Sequence, residues 1–505
     1  MTSFASSLLA ALALIAGLVH AAPAPDPEKL YETHCLVCHA PNRLGGMGPA
    51  LLPDALARLK RPDAYKAIAD GLPATQMPGF GGQLRPAEIQ ALADWLYTPP
   101  KLPPKWDAGD IEASRVVNRD NLDLPARPVF KADPMNITLV VEGGDHHITV
   151  LDGDKMAPIT RFPTRHALHG GPKFTADGRF VYWASRDGWI TKYDLWNLKV
   201  VAEVRAGINT RNVAVSSDGR TVMAANYLPH TLVALGGRDL ALIKVIPVVD
   251  GGGKSSRVSA VYDARPRHSF IAALKDIPEV WEIPYDADKG ATPLAVRQLK
   301  TADYLDDFFF DQDYQYLMGA ARGGGKGQVI QLDSGRKVAD LALSGMPHLG
   351  SGITWDWTDG NGQVRRVMAS PNLKDHQISV IDMKTWQVIK VIPTLGPGFF
   401  LRSHENSPYA WADVFSGTDK DVMQVIDKQR LEVVATVRPE PGKVATHVEF
   451  DRYGKYALVS IWEMDGAVVV YDARTLKEIK RLPMKRPVGK YNVWNKTRLS
   501  EGTSH

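Results

Sequence analysis

Two textures divide the chain by the spacing of its apolar positions. Between Asp26 and Tyr97 the spacing is helical, and Glu88, Ile89, Leu92, Ala93, Trp95 and Leu96 predict a short amphipathic helix after Arg85-Pro86. From about Ile137 onward the apolar residues come in runs of strand length, such as Leu139-Val140-Val141, broken by Asp-Gly and similar turns. Between the two lies Pro99-Pro100-Lys101-Leu102-Pro103-Pro104, which cannot continue a helix and reads as a stiff linker. The expected division is a helical domain over 22–98, a Pro-rich linker over 99–135 and an all-β domain over 136–505.

The β region repeats. An Asp ends a strand-like run at Asp152, Asp194, Asp286, Asp333, Asp382, Asp427 and Asp472, with Asp239 in the equivalent place, at intervals of 42 to 49 residues. A second apolar strand usually follows the Asp, as in Leu198 to Val204 and Trp386 to Ile392. A strand pair joined by a turn precedes it, as in Phe174-Thr175-Ala176-Asp177-Gly178-Arg179-Phe180. A period of ~40–50 residues with four short strands per unit predicts a β-propeller, and eight repeats predict eight blades. The first repeat lacks a full set of preceding strands, and the run around Tyr491 to Trp494 is expected to supply the missing strand and close the ring. Two stacked β-sandwiches with coincidental spacing are the competing architecture.

Composition narrows the setting. With 44% hydrophobic and 23% charged residues the chain is an ordinary globular one, and a net charge of +4 over 505 residues gives no warrant for a nucleic-acid partner. Leu8 to Val19 is an uncharged apolar run of 12 residues followed by Val19-His20-Ala21, the pattern of an export signal over 1–21 cleaved after Ala21. No Lys or Arg precedes that run, so the terminal amine alone would supply the positive end, and a buried N-terminal helix is the alternative reading. The run is shorter than the ~20 residues that span a bilayer, and no later segment is long enough. The expectation is an exported protein without a membrane span, periplasmic if the source is a Gram-negative bacterium.

An exported chain is expected to use disulfides, yet its only two cysteines, Cys35 and Cys38, lie in Cys35-Leu36-Val37-Cys38-His39. Two thiols one helical turn apart can add to the two vinyl groups of one haem, and the His39 imidazole that follows can bind the iron. One covalent c-type haem per chain is therefore expected; a redox dithiol or half a zinc site are the competing readings. Met77, in Thr75-Gln76-Met77-Pro78-Gly79-Phe80, is the expected sixth ligand, since it stands 38 residues beyond His39 and just before the last helix. A thioether there would raise the reduction potential. Met47 is the nearest competitor, but it sits in a Gly-rich turn close to His39.

Several propeller histidines need no special role, and His146, His147, His230, His268 and His376 are expected at the surface or in turns. Four other positions sit where blades begin and face the axis. His169 precedes Gly170-Gly171-Pro172, His348 precedes Leu349-Gly350-Ser351-Gly352, His447 opens Val448-Glu449-Phe450, and Tyr491 lies in the closing strand. Residues of different blades converge on a propeller's axis, so three imidazoles and a phenol could surround one cofactor.

A cytochrome c domain followed by an eight-bladed propeller resembles the cytochrome cd1 group over essentially the whole mature chain. The residues that carry the resemblance are Arg186-Asp187-Gly188 with Tyr193-Asp194-Leu195-Trp196, Met346-Pro347-His348, and Gly489-Lys490-Tyr491-Asn492-Val493-Trp494. Quinohaemoprotein alcohol dehydrogenases also join a cytochrome to an eight-bladed propeller, but in another domain order and with an adjacent cysteine pair that this chain lacks. The resemblance implies a propeller that binds haem d1 non-covalently. His169 matches the proximal iron ligand and His348 a distal-pocket histidine, while His447 and Tyr491 look like the distal pair of the branch that oxidises dihydro-haem d1. Nitrite-reducing members carry a second distal histidine, which would fall near Tyr304-Leu305-Asp306-Asp307, where this chain has none. A nitrite reductase needs proton donors over its substrate, so the loss counts against that activity. Arg211 and Arg257, also at blade starts, are expected either to pair with haem d1 carboxylates or to form exposed salt bridges. The implied function is oxidation of a dihydro-haem d1 precursor to haem d1, propionate to acrylate, with His447 as base assisted by Tyr491 or His348. Electrons would pass to haem c and an external acceptor, and haem d1 could be delivered to nitrite reductase. Nitrite reduction and non-catalytic carriage of haem d1 are the rivals.

Overall fold

The computed structural model describes residues 24–498 apart from 47, 57–58, 72–76, 166, 288–290 and 322–326. The expected export segment and the competitor Met47 lie outside the described residues.

The β region forms eight antiparallel sheets, seven of four strands and one of five. Their innermost strands are Leu168–Phe174, Asn209–Val215, Val258–Ala264, Leu305–Phe310, Ile353–Thr358, Leu401–Ser403, Ala445–Phe450 and Pro487–Asn492. Neighbouring sheets touch in sequence order around the circle, and the strand Pro487–Asn492 touches Leu168–Phe174 to complete it. The closing strand pairs with Ile137–Glu142, placing Tyr491 opposite Leu139. It ends two residues earlier than the sequence suggested. The Asn492 side chain accepts the N–H groups of Trp494 and Asn495 and starts the helix Val493–Thr497 instead.

The eightfold Asp has a local cause. Asp382 Oδ1 accepts the N–H groups of Lys384 and Thr385 at 2.8 and 2.9 Å. Asp427 and Asp472 bind the same two positions after them. This side-chain turn links the third strand of a sheet to its fourth. Between sheets the apolar faces interlock; Met223, Val261, Phe270 and Trp281, all buried, fill one such layer.

The N-terminal domain packs the helices Pro27–His34, Arg61–Asp70 and Pro86–Leu96 around Tyr31, Ile68, Phe80, Ile89 and Leu92. The segment read as a linker is built into the propeller rather than spanning free space. Asp107 caps the helix Ala108–Ser114, Ile111 is buried, and Val116–Val117 adds the fifth strand to one blade beside Glu203 and Ala202. Trp106 donates to the Arg205 carbonyl at 2.8 Å, and an apolar cluster of Leu44, Ala50, Leu52, Ile208 and Leu228 joins the two domains.

Candidate active site

One cavity of about 830 Å³ runs from the helical domain into the mouth of the propeller. On the helical side it is lined by Cys35, Cys38, His39 and Met77 with Leu51, Ile68 and Phe80. The two thiols are free; Cys35 stands at the start of the short helix Leu36–His39 and Cys38 lies within it. His39 Nδ1 donates to the Pro49 carbonyl at 2.8 Å, which leaves the Nε2 lone pair for the cavity. Gly48 lies against that ring, and a Cβ there would stand 2.7 Å from His39 Cε1. Both thiols, the oriented imidazole and the Met77 thioether thus suit one covalently attached haem.

On the propeller side the lining includes His169, Arg211, His348, His447 and Tyr491, from five different blades. Five of the inner strands leave regular pairing where they meet the cavity. The ladder skips residues 170–172, Arg211, Asp306–Asp307, His447 and Val488. A bulge re-aims side chains that an unbroken pleat would send to alternate faces. Gly170 and Gly171 make the first bulge with φ of 81° and 70°, and His447 makes another at φ 49° despite its side chain.

Two of these histidines place Nδ1 against a backbone carbonyl, as His39 does. His348 Nδ1 donates to the Phe399 carbonyl at 2.8 Å, and His169 Nδ1 lies 2.7 Å from the Arg211 carbonyl, with the Arg211 guanidinium 2.8 Å from the same nitrogen. His348 thereby presents Nε2 as the lone-pair nitrogen, the tautomer that a metal takes. Arg186 Nη2 stands 2.9 Å from His169 Nε2, and Asp307 Oδ2 stands 3.8 Å from His348 Nε2. His447 differs. It is 1% exposed, its Nδ1 has no hydrogen-bond partner among the described residues, and its ring meets Tyr491 edge to face with centroids 5.6 Å apart. An orphaned nitrogen in an apolar-walled site needs a partner from the ligand.

The site is cationic. Lys173, Arg211, Arg402 and Lys496 line it, against Glu142 and Asp307. Burial, then Lys490, Arg402 and Lys496, hold the His447 imidazole well below the usual histidine range, so it is neutral. Burial pushes the Tyr491 phenol up to about 12, so it keeps its proton. Lys490 is fully buried and donates to the His447 carbonyl and to Ser460, which pins the bulge. Such a field suits a macrocycle carrying several carboxylates.

Arg257 does not reach the cavity. Its guanidinium holds Asp276 through two bonds of 2.6 and 2.8 Å, the salt-bridge alternative of the sequence reading. His146, expected at the surface or in a turn, is in a turn and also lines the cavity. Lys173, Arg402, Lys496 and Asp307 were not singled out as site residues. A charged residue inside an otherwise apolar inner strand, as in Leu401-Arg402-Ser403, was the available signal.

The fold and the site define a class: a haem c domain opening directly onto a propeller with an axial, histidine-lined tetrapyrrole pocket. Residues 132–496 match the family described as Cytochrome D1 heme domain, and the chain belongs to it. Residues 22–96 match the family described as Cytochrome C oxidase, cbb3-type, subunit III. The chain is 58% identical over 492 residues to a dihydro-heme d1 dehydrogenase of Pseudomonas aeruginosa, covering 97% of this chain and 98% of that one. It is 24% identical to a nitrite reductase of Stutzerimonas stutzeri, covering 97% of both. A solved structure of dihydro-heme d1 dehydrogenase NirN in complex with DHE superposes with a TM-score of 0.88 at 58% identity, over 94% of this chain and all of that one.

Proposed function

We propose that this protein oxidises dihydro-haem d1 to haem d1, converting a propionate side chain to an acrylate, in haem d1 biosynthesis. The observation that carries the reading is the single cavity joining the haem c residues to the axial histidines, so that electrons leaving one macrocycle need cross no protein layer to reach the other. The dehydrogenase relative, similar over nearly its full length, supports it.

The reaction turns –CH2–CH2–COO⁻ into –CH=CH–COO⁻ and releases two protons and two electrons. Haem c, when attached, accepts electrons one at a time. His39 and Met77 would hold that haem, and His169 with His348 would bind and orient the substrate's iron. Arg211 and Arg402 would receive carboxylates. Tyr491 and His447 are the proton-handling pair. Because burial and its neighbours keep His447 neutral and its Nδ1 has no partner among the described residues, His447 is the proton acceptor, and Tyr491, which keeps its own proton, packs edge to face against it. The reading extends to place and partners: an exported, periplasmic enzyme with an external one-electron acceptor, whose product is passed on to nitrite reductase. The Leu8–Val19 run supports export, and no described helix is long and apolar enough to cross a membrane.

The test is anaerobic incubation of haem c-loaded protein with dihydro-haem d1 and a one-electron acceptor. Reduction of haem c and loss of two hydrogens from the tetrapyrrole by mass spectrometry are expected. Binding with no acrylate product would favour a carrier, and steady nitrite turnover by retained haem d1 would favour a reductase.

A further inference from the structure

The axial cavity adjoins a second, smaller cavity deeper along the propeller's axis. The inner strands of a propeller run in one direction, so their first residues lie at one face of the ring and their last at the other. The large cavity is lined by early residues of those strands, His169, Arg211 and Asp307. A second cavity of about 130 Å³ is lined by their final residues, Phe174, Val215 and Phe310. Pro172, Lys173, Tyr262 and Lys496 line both, so the two spaces meet at these four residues. Asp263 and Arg265 follow deeper in, and the exposed Arg498 stands at the rim.

We propose that Lys496 and Lys173, with Asp263 behind them, carry the protons lost by the substrate through the ring to the face opposite the cytochrome domain. The proposal rests on the dehydrogenase reading above. Electrons would leave singly through haem c to the external acceptor, while both protons leave along the axis to water, so charge separates in opposite directions.

The chemistry of the three groups suits the task. Burial lowers Lys173 to about 8 and Lys496 to about 7, and it raises Asp263 to about 7, so each can hold and release a proton near neutrality. Lys496 is faced by Glu449 at 3.8 Å, by Arg402 and Lys173, and by the Tyr491 ring, whose centroid is 6.0 Å from Nζ. Lys496 also faces His447, the proposed proton acceptor. Lys173 is faced by Asp307, Arg402, Arg211 and Arg265, with the Tyr262 ring 5.2 Å from Nζ. Asp263 is faced by Arg265 at 3.6 Å, and by Tyr285, Asp218 and His268. Its Oδ1 is buried with no hydrogen-bond partner among the described residues, an acceptor turned to a polar space.

The experiment compares wild type, Lys496→Ala and Asp263→Asn in haem c-loaded protein, following acrylate formation, substrate binding by absorption titration, and the response to added methylamine. Lys496→Ala should lose about tenfold or more in kcat and recover activity with methylamine, a small amine that can stand in the cavity left by the side chain. Asp263→Asn, which lies outside the substrate cavity, should slow kcat with binding unchanged. Wild-type kcat in both variants would overturn the path, as would loss in Lys496→Ala that methylamine does not restore while substrate still binds. A wild-type protein that forms no acrylate would overturn the dehydrogenase reading itself, a result separable from the other two.

Discussion

The rings of His447 and Tyr491 meet edge to face, 5.6 Å between centroids and 65° between planes, across the junction of the last full inner strand and the strand that closes the ring. One ring is an imidazole that resists charge and the other a phenol that keeps its proton. The pair is therefore unequal in its capacity to handle a proton.

That inequality gives a ranking. His447→Gln removes the one group of the pair that can accept a proton and should lower kcat by about 10²-fold or more. Tyr491→Phe removes a hydroxyl that keeps its own proton and should cost less than tenfold on the same scale. Steady-state acrylate formation by the two variants checks the order, and a larger loss in Tyr491→Phe would reverse the assignment.

The carbonyl-anchored histidines should be separable by spectrum. His169→Ala and His348→Ala should each alter the visible absorption of bound haem d1 while leaving that of haem c unchanged, since His39 keeps its own anchor at Pro49. His447→Gln should leave the haem d1 iron spectrum intact. An unchanged spectrum in His348→Ala would remove it from the iron.

Arg211 and Arg257 are both arginines at blade starts, yet only Arg211 lines the cavity. Arg211→Met should weaken substrate binding by about 10- to 100-fold, the ~1.5–3 kcal/mol of a hydrogen bond to a charged group. Arg257→Met frees Asp276 from its partner and should leave substrate affinity unchanged. Absorption titration distinguishes them.

Gly171 combines a φ of 70° with a neighbour that leaves no room for a side chain, since a Cβ would stand 2.7 Å from Tyr491 Cε1. Gly171→Ala should cost roughly 1–2 kcal/mol from backbone conformation alone, and displacement of the phenol should add a loss of turnover. Urea unfolding together with kcat measures both; full turnover in this variant would show that the contact is not needed.

What could be read from the sequence was what depends on neighbours in the chain. Cys35, Cys38 and His39 carry their chemistry in five consecutive residues. The repeated Asp was visible because several of them, Asp152, Asp382, Asp427 and Asp472, build a turn from their own next three residues, as Asp382 does with Lys384 and Thr385. The placement of His169, His348, His447 and Tyr491 on one cavity followed from the propeller's symmetry. The bulges at Arg211 and His447 depend on pairing partners distant in the chain, such as Ala225 and Asn226 or Val459 and Ser460, and left no local mark. The roles of Lys173, Arg402 and Lys496 depend likewise on which strands converge. The docked segment around Trp106 and Ile111 was hidden because the neighbouring prolines dominate its composition.

The closing strand makes ring closure a condition of chemistry. Tyr491 reaches the cavity only when Pro487–Asn492 pair with Ile137–Glu142, among the first strands of the propeller. Fold and reactivity are thereby completed by the same six residues. A chain truncated before Pro487 would leave an unpaired strand at one edge and a pocket without its phenol.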